Sequence, residues 1–231
     1  MLDICLSLSF ALSCPAQDDL EAALRRFSRG YASPDPKARA TAVDELSKTP
    51  DVKSLQRIVP LLTGDAKEVR IAAAKGMSNF KDYKKIVIPA LTGALAANAK
   101  EIDVQLAILE GLGKLQDEAA LPTIHQNFRG PQVKVAKAAL GAAAAIRAKD
   151  SLVALHEFLL DLQKWEKTKK AGGYKDGDGG GDGEASQKAR LQDVTQETIK
   201  TFQTITRENW VSLREWDVWC RKRLPTFTVP K

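Results

Sequence analysis

Residues 65–95, DAKEVRIAAAKGMSNFKDYKKIVIPALTGAL, decide how this chain folds. Val69, Ala73 and Met77 fall on one helical stripe, and Ile88, Leu91 and Leu95 fall on a second. The block recurs, degenerate but in phase, from Asp35 to Leu160. Its anchors are Ala38-Arg39, Val69-Arg70, Val104-Gln105 and Val135-Ala136, about thirty residues apart. Each anchor is followed by small or apolar residues that head a helix stripe: Ala42-Val43, Ala73-Ala74, Ile108-Leu109 and Ala139-Leu140. A single globular unit has no reason to repeat at that interval. A stacked solenoid of helix pairs must, because each pair buries its apolar face only against its neighbours. The expectation is an all-α superhelix of about four helix pairs, working through its surface.

Composition agrees. The 231 residues are 44% apolar, enough for a buried core, while aromatics make up only 6%. Helix formers dominate, and the alanine crowding of Ala138 to Ala145 lets helices approach closely. The net charge of +6 admits an anionic partner without requiring one.

Outward from the central block, residues 17–33 read as an entry helix with Leu20, Ala23, Leu24 and Phe27 on one face, ended by Pro34 and Pro36. The solenoid is assigned to residues 34–170. Its first pair covers Lys37 to Ser47 and Lys53 to Leu62, with Asp51 as an N-cap after Pro50. The second pair covers Lys67 to Asn79 and Lys85 to Ala97, the third Ile102 to Leu115 and Ala119 to Phe128, the fourth Gln132 to Ala148 and Ser151 to Glu166. Pro89 and Pro122 are taken to mark helix starts, where a missing N–H is harmless.

The run Asp65-x-x-x-Val69-Arg70-x-x-Ala73-Ala74-x-Gly76-Met77, followed by Ile88-Pro89-Ala90-Leu91-x-x-x-Leu95, resembles a HEAT repeat of the type common in bacterial proteins. The resemblance covers about Asp35 to Leu160. It implies a ladder of Asp and Arg side chains between adjacent repeats. Arg39 and Arg70 keep the arginine, with Asp35 and Asp65 nearby, whereas Gln105 and Ala136 replace it, so apolar packing is expected to carry the second half.

Residues 1–16 read as a signal peptide. Ile4 to Cys14 is an apolar run too short to span a bilayer, followed by Pro15-Ala16-Gln17 with a small residue for cleavage. No Lys or Arg precedes the run, and Asp3 stands where a positive charge is usual. The alternative is an apolar helix lying on the first repeat. A lipid anchor at Cys14 is disfavoured by bulky Leu12. The expectation is export to a periplasm, envelope or medium, with no integral membrane span in the mature chain. Cleavage after Ala16 leaves Cys220 as the one cysteine, read as structural.

Residues 171–186 read as a flexible Gly/Asp linker. A calcium loop through Asp176, Asp178 and Asp182 fails, because Gly180 and Gln187 stand where ligands belong. Residues 187–231 form a tryptophan-rich helical cap, similar to a C-terminal element of secreted bacterial HEAT proteins in Phe202-x-x-Ile205-Thr206 and Trp216-x-x-Trp219. Trp216 and Trp219 lie on one helix face, either buried as the cap or exposed as an aromatic anchor.

Catalytic chemistry finds no foothold. His125 and His156 lie in different repeats without companions at metal-ligand spacing, and the chain has neither a phosphate-binding glycine loop nor a nucleophile elbow. No cofactor, metal or catalytic residue is assigned. The first expectation is a scaffold that binds a protein partner on a concave face built from the second helices, with Lys53, Arg57, Lys84, Lys85, His125, His156, Trp216 and Trp219 as contact candidates. Nucleic-acid or polyanion binding ranks second, because the basic residues have no counterparts in the second helix of the third pair and Glu157 and Asp161 interrupt the fourth. An enzyme such as a lyase ranks third, on fold analogy alone.

Overall fold

The computed structural model describes residues 15–170, 183–209 and 213–230, and no strand forms among them. The leader reading up to residue 14, with Cys5 and Cys14, lies outside the described residues, as do positions 171–182 of the linker with Asp176, Asp178 and Asp182.

Eleven helices follow in order among the described residues. They are α1 (Pro15–Tyr31), α2 (Pro36–Ser47), α3 (Val52–Ile58), α4 (Lys67–Gly76), α5 (Lys84–Ala97) and α6 (Ile102–Leu115). Next come α7 (Leu121–Gln126), α8 (Val133–Ile146), α9 (Lys149–Lys170), α10 (Gly183–Thr206) and α11 (Leu213–Lys222). Short 3-10 turns extend α3 over Val59–Leu62 and α4 over Met77–Asn79, and flank α7 at Glu118–Ala120 and Asn127–Arg129.

Local chemistry sets these bounds. Asp35 and Asp51 cap α2 and α3, accepting the amides of Lys37 at 3.0 Å and Lys53 at 2.8 Å. Pro36 and Pro122 sit in first turns, where their missing N–H costs nothing. Pro89 departs from expectation. It lies inside α5 rather than at its start, on the exposed face, where water can satisfy the carbonyl of Lys85 that its ring leaves without a donor.

The first helices α2, α4, α6 and α8 pack in succession and form one layer; α3, α5, α7 and α9 form the other. Between them the second helices contribute one register of buried side chains: Leu55, Ile58 and Leu62, then Ile88, Leu91 and Leu95, then Leu121, Ile124 and Phe128, then Leu152, Leu155 and Leu159. The fold is the all-α solenoid that the repeat demands.

Small residues set the spacing of the first layer. A Cβ on Gly76 would lie 2.6 Å from Ser47 Cβ across α2 and α4. One on Gly111 would lie 2.9 Å from the Ala74 carbonyl oxygen across α4 and α6, and one on Gly113 3.0 Å from Ala142 Cα across α6 and α8. Backbones at that distance leave no room for a side chain.

The C-terminal element continues the stack. Helix α10 packs on α8 as the next first helix, burying Val194, Thr198, Phe202 and Ile205, and α11 packs on α9. It is a fifth helix pair as well as a cap. Its helix starts at Gly183, inside the extent expected for the linker, just as α1 starts at Pro15, inside the extent expected for the leader. The chain end fastens this pair back to the fourth. Arg147 Nη2 donates to the Pro230 carbonyl at 2.7 Å, and Lys149 Nζ to that of Pro225 at 3.0 Å.

Candidate functional site

The outer face of the second layer differs from that of the first. Four large apolar side chains stay exposed among the described residues: Val52 at 42%, Ile86 at 50%, Val153 at 45% and Val218 at 43%. They belong to α3, α5, α9 and α11, all second-layer helices. The exposed face of the first layer is polar, with Glu68 and Lys75 on α4, and Glu110 and Lys114 on α6.

Charge along this face is graded. Helices α3 and α5 carry Lys53, Arg57, Lys84 and Lys85 and no acidic residue, whereas Asp150, Glu157 and Asp161 enter with α9. Lys53 pairs with Glu21 of α1 at 2.9 Å, and Lys84 with Asp117 at 3.7 Å. Arg57 and Lys85 point to solvent without an ion pair among the described residues.

The two histidines act as rivets between helices. His125 Nε2 lies 3.0 Å from Ser151 Oγ, and burial holds its pKa below the ordinary imidazole value. Ser151 is fully buried, and His125 is half-buried beside it. His156 Nε2 lies 3.0 Å from Asp217 Oδ1 and ties α9 to α11. That bond, with help from Arg221, holds the Asp217 carboxyl below its ordinary value.

Trp216 and Trp219 are 1% and 4% exposed, so the two candidates are cap residues and offer a partner no surface. Phe202 packs against Trp216, and the Trp219 ring meets Phe202 and Phe227 edge-on at 5.3 and 4.9 Å. Cys220 beside them is buried, and desolvation pushes its thiol up to about 12, far from a reactive thiolate. The spacing of the tryptophans is the same for a cap and an anchor; the packing of Phe202 on both rings, with Phe227 on Trp219, distinguishes them. Among the described residues no group of three or more His, Cys, Asp or Glu side chains could hold a metal ion, and no helix is long and apolar enough to cross a membrane.

Polar rungs cross the junctions between repeats, and they change along the chain. Arg39 of α2 donates to both oxygens of Asp65, at 2.7 and 3.3 Å, and to the carbonyls of Ser33 and Pro34. Tyr31 donates to the same carboxylate. Arg39 first, then Tyr31 and the Ala66 amide, hold Asp65 at about 2, and burial together with that carboxylate pushes Tyr31 up to about 12. The rung therefore reaches forward to Asp65, while Asp35 serves as a helix cap. Arg70 reaches Asn98 Oδ1 at 2.6 Å, and the amide nitrogen of buried Asn98 donates to the Leu62 and Ala94 carbonyls.

At the third junction the rung is missing. Gln105 donates to the Ala99 carbonyl at 2.9 Å within its own repeat. Pro131 stands where Asp65 and Asn98 stand, three residues after Phe128 as they follow Leu62 and Leu95. A groove of about 380 Å³ opens there, between the ends of α5 and α7 and the start of α8, with Gln105 and Pro131 both in its wall. Sequence reasoning missed this groove. The signal was present in the correspondence of Asp65, Asn98 and Pro131 across the repeats.

Comparison with protein families divides the chain at the same place. Residues 24–102 match the family model described as HEAT repeats, and residues 104–130 the one described as PBS lyase HEAT-like repeat. The first match contains the Arg39 and Arg70 rungs; the second opens where Gln105 replaces them. No curated protein matches the chain.

Proposed function

We propose that this chain, a member of the HEAT repeat family, is an exported bacterial scaffold that binds a protein partner without catalysis through the outer face of its second helices. One observation carries the reading: all four exposed large apolar side chains of the described residues lie on that layer. Isolated exposed apolar residues are ordinary, but their confinement to one layer of a two-layer solenoid fits a face that a partner covers. HEAT arrays generally work as protein-interaction scaffolds. Export draws its support from the run Ile4 to Cys14 and the small residues after it.

Two other readings draw less support. Residues 104–130, whose match carries the word lyase, contain one histidine, and His125 is tied to buried Ser151. A polyanion needs a continuous basic track. Here Lys53 and Lys84 are paired, and α9 brings Asp150, Glu157 and Asp161 onto the face.

Photo-crosslinking tests the scaffold reading. A benzophenone amino acid replaces Ile86 or Val153 on the second layer, and Lys75 or Lys114 on the first, in the chain's own cells. The expected result is a discrete protein adduct from Ile86 and Val153 and none from Lys75 and Lys114. Equal adducts from both layers, or none from either, would overturn it.

A further inference from the structure

The two layers of the solenoid carry their charge differently. On the first, opposite signs are interspersed: Glu68 and Lys75 share α4, and on α6 Lys114 Nζ donates to Glu110 Oε1 at 2.6 Å. That is the pattern of a solvated face. On the second layer the signs are held apart along the stack. Helices α3 and α5 bring Lys53, Arg57, Lys84 and Lys85, and α9 brings Asp150, Glu157 and Asp161. Lys149 of α9 is drawn away to the Pro225 carbonyl, and Lys164 stands seven residues beyond Glu157. Between the two ends the exposed face is small and uncharged, through Pro89, Gly93 and Ala96 of α5 and Pro122 and Gln126 of α7. Beyond α9 the signs mix again, with Asp217 and Arg221 paired on α11.

Neither end is neutralised from within. Lys53, Lys84 and Asp161 find ion partners in the chain. Arg57 and Lys85 at one end, and Asp150 and Glu157 at the other, have none among the described residues. Each free pair stands beside exposed apolar surface. Val52 shares α3 with Arg57, and Ile86 follows Lys85, while Asp150, Val153 and Glu157 fall at i, i+3 and i+7 on the exposed stripe of α9. Exposed charges of this kind add little to the stability of a fold, and segregated they set up a field that orients what approaches.

The order of the signs selects the occupant. Nucleic acid and an anionic membrane are of one sign throughout, so what Arg57 and Lys85 attract, Asp150 and Glu157 repel. A second copy of the chain has the right order of signs but brings its own net charge of +6 against this one. We infer that the second layer holds a separate protein partner whose own charges are segregated in the opposite order, an acidic half over α3 and α5 and a basic half over α9, each half with apolar side chains among its charges. The inference rests on the scaffold reading and adds the chemistry and the direction of the partner. Docked the other way round, the partner would set like charge against like at both ends, so the same residues that attract it also fix its orientation.

The test reads the peptides that benzophenone at Ile86 and at Val153 captures, by mass spectrometry of the adducts. The expected result is a net acidic peptide from Ile86 and a net basic one from Val153, both from one partner protein. Arg57→Glu combined with Lys85→Glu should lower the Ile86 adduct at least about tenfold, and Glu157→Lys should lower the Val153 adduct. Lys75→Glu combined with Lys114→Glu makes the same change of net charge on the first layer and should leave both adducts within about twofold. All five positions are exposed, and matching thermal melts verify that the variants fold. Peptides of one sign from both sites would overturn the inference, as would adducts that the second-layer reversals leave unmoved, and in either case the scaffold reading stands. A second copy of the chain in the adducts would overturn the separate partner. No adduct from either site would overturn both readings.

Discussion

The junction between α2 and α4 and the junction between α6 and α8 do the same mechanical work by different means. Both bring backbones so close that a Cβ on Gly76 or Gly113 would collide with the neighbouring helix. Only the first adds a charged rung, from Arg39 and Tyr31 to Asp65. The small-residue seam is therefore the constant that fixes helix spacing, and the rung is an addition. Where the rung is absent, the same stacking leaves a groove with Gln105 and Pro131 in its wall.

The strongest test of whether the two halves are separable removes the end of the stack. Trp216→Ala is expected to cost about 3–5 kcal/mol, because it empties a fully buried aromatic site. Hydrogen exchange should then rise in α8 to α11 and stay unchanged in α2 and α4, as nearest-neighbour coupling requires. An equal rise in α2 would mean that the halves act as one unit. Next in size, Gly113→Leu forces a side chain against the Ala142 backbone, 3.0 Å from where a Cβ would sit, and is expected to cost about 3 kcal/mol in urea unfolding.

Asp65→Asn removes the charge from the rung and is expected to cost about 2 kcal/mol, the scale of a hydrogen bond to an ionised group. Its pH dependence separates it from the seam. The Asp65 carboxyl is held at about 2 against an ordinary value of 3.8. A group held low in the folded state stabilises while ionised, so its contribution is present above pH about 4 and is lost as pH falls toward 2. Urea midpoints of wild type and Asp65→Asn should therefore converge over that window, whereas the deficit of Gly113→Leu should not move. The smallest expected effect has the opposite sign. Gly141 lies exposed in α8, with no neighbouring atom within 4 Å of where a Cβ would sit, and Gly141→Ala is expected to gain about 0.5–1 kcal/mol by helix propensity alone. A loss there would extend the seam to a face where the structure leaves space.

How much of this was legible follows the range of the forces involved. The helix pairs were read from Val69, Ala73 and Leu91 because burial of a periodic stripe is a local pattern repeated in sequence. The weakening of the ladder at Gln105 and Ala136 was equally plain, since a missing guanidinium shows in the residue itself. The close backbone approach at Gly113, which remains there without a rung, was foreshadowed only by the alanine crowding. The prolines misled at Pro89 because a helix interior tolerates the ring where the orphaned carbonyl meets water, and solvent exposure is not written in a spacing.

The sequence alone determined the architecture, because each repeat can bury its stripe only against the next. Tertiary structure alone decided that Trp216 and Trp219 are core and that α10 and α11 form a fifth pair. It also decided that Asp65 answers Arg39 across a junction and that a groove opens between Gln105 and Pro131. Each of these depends on which side chains meet across a distance of one repeat, and periodicity records that repeats are alike without recording where two unlike ones fail to fill the space between them.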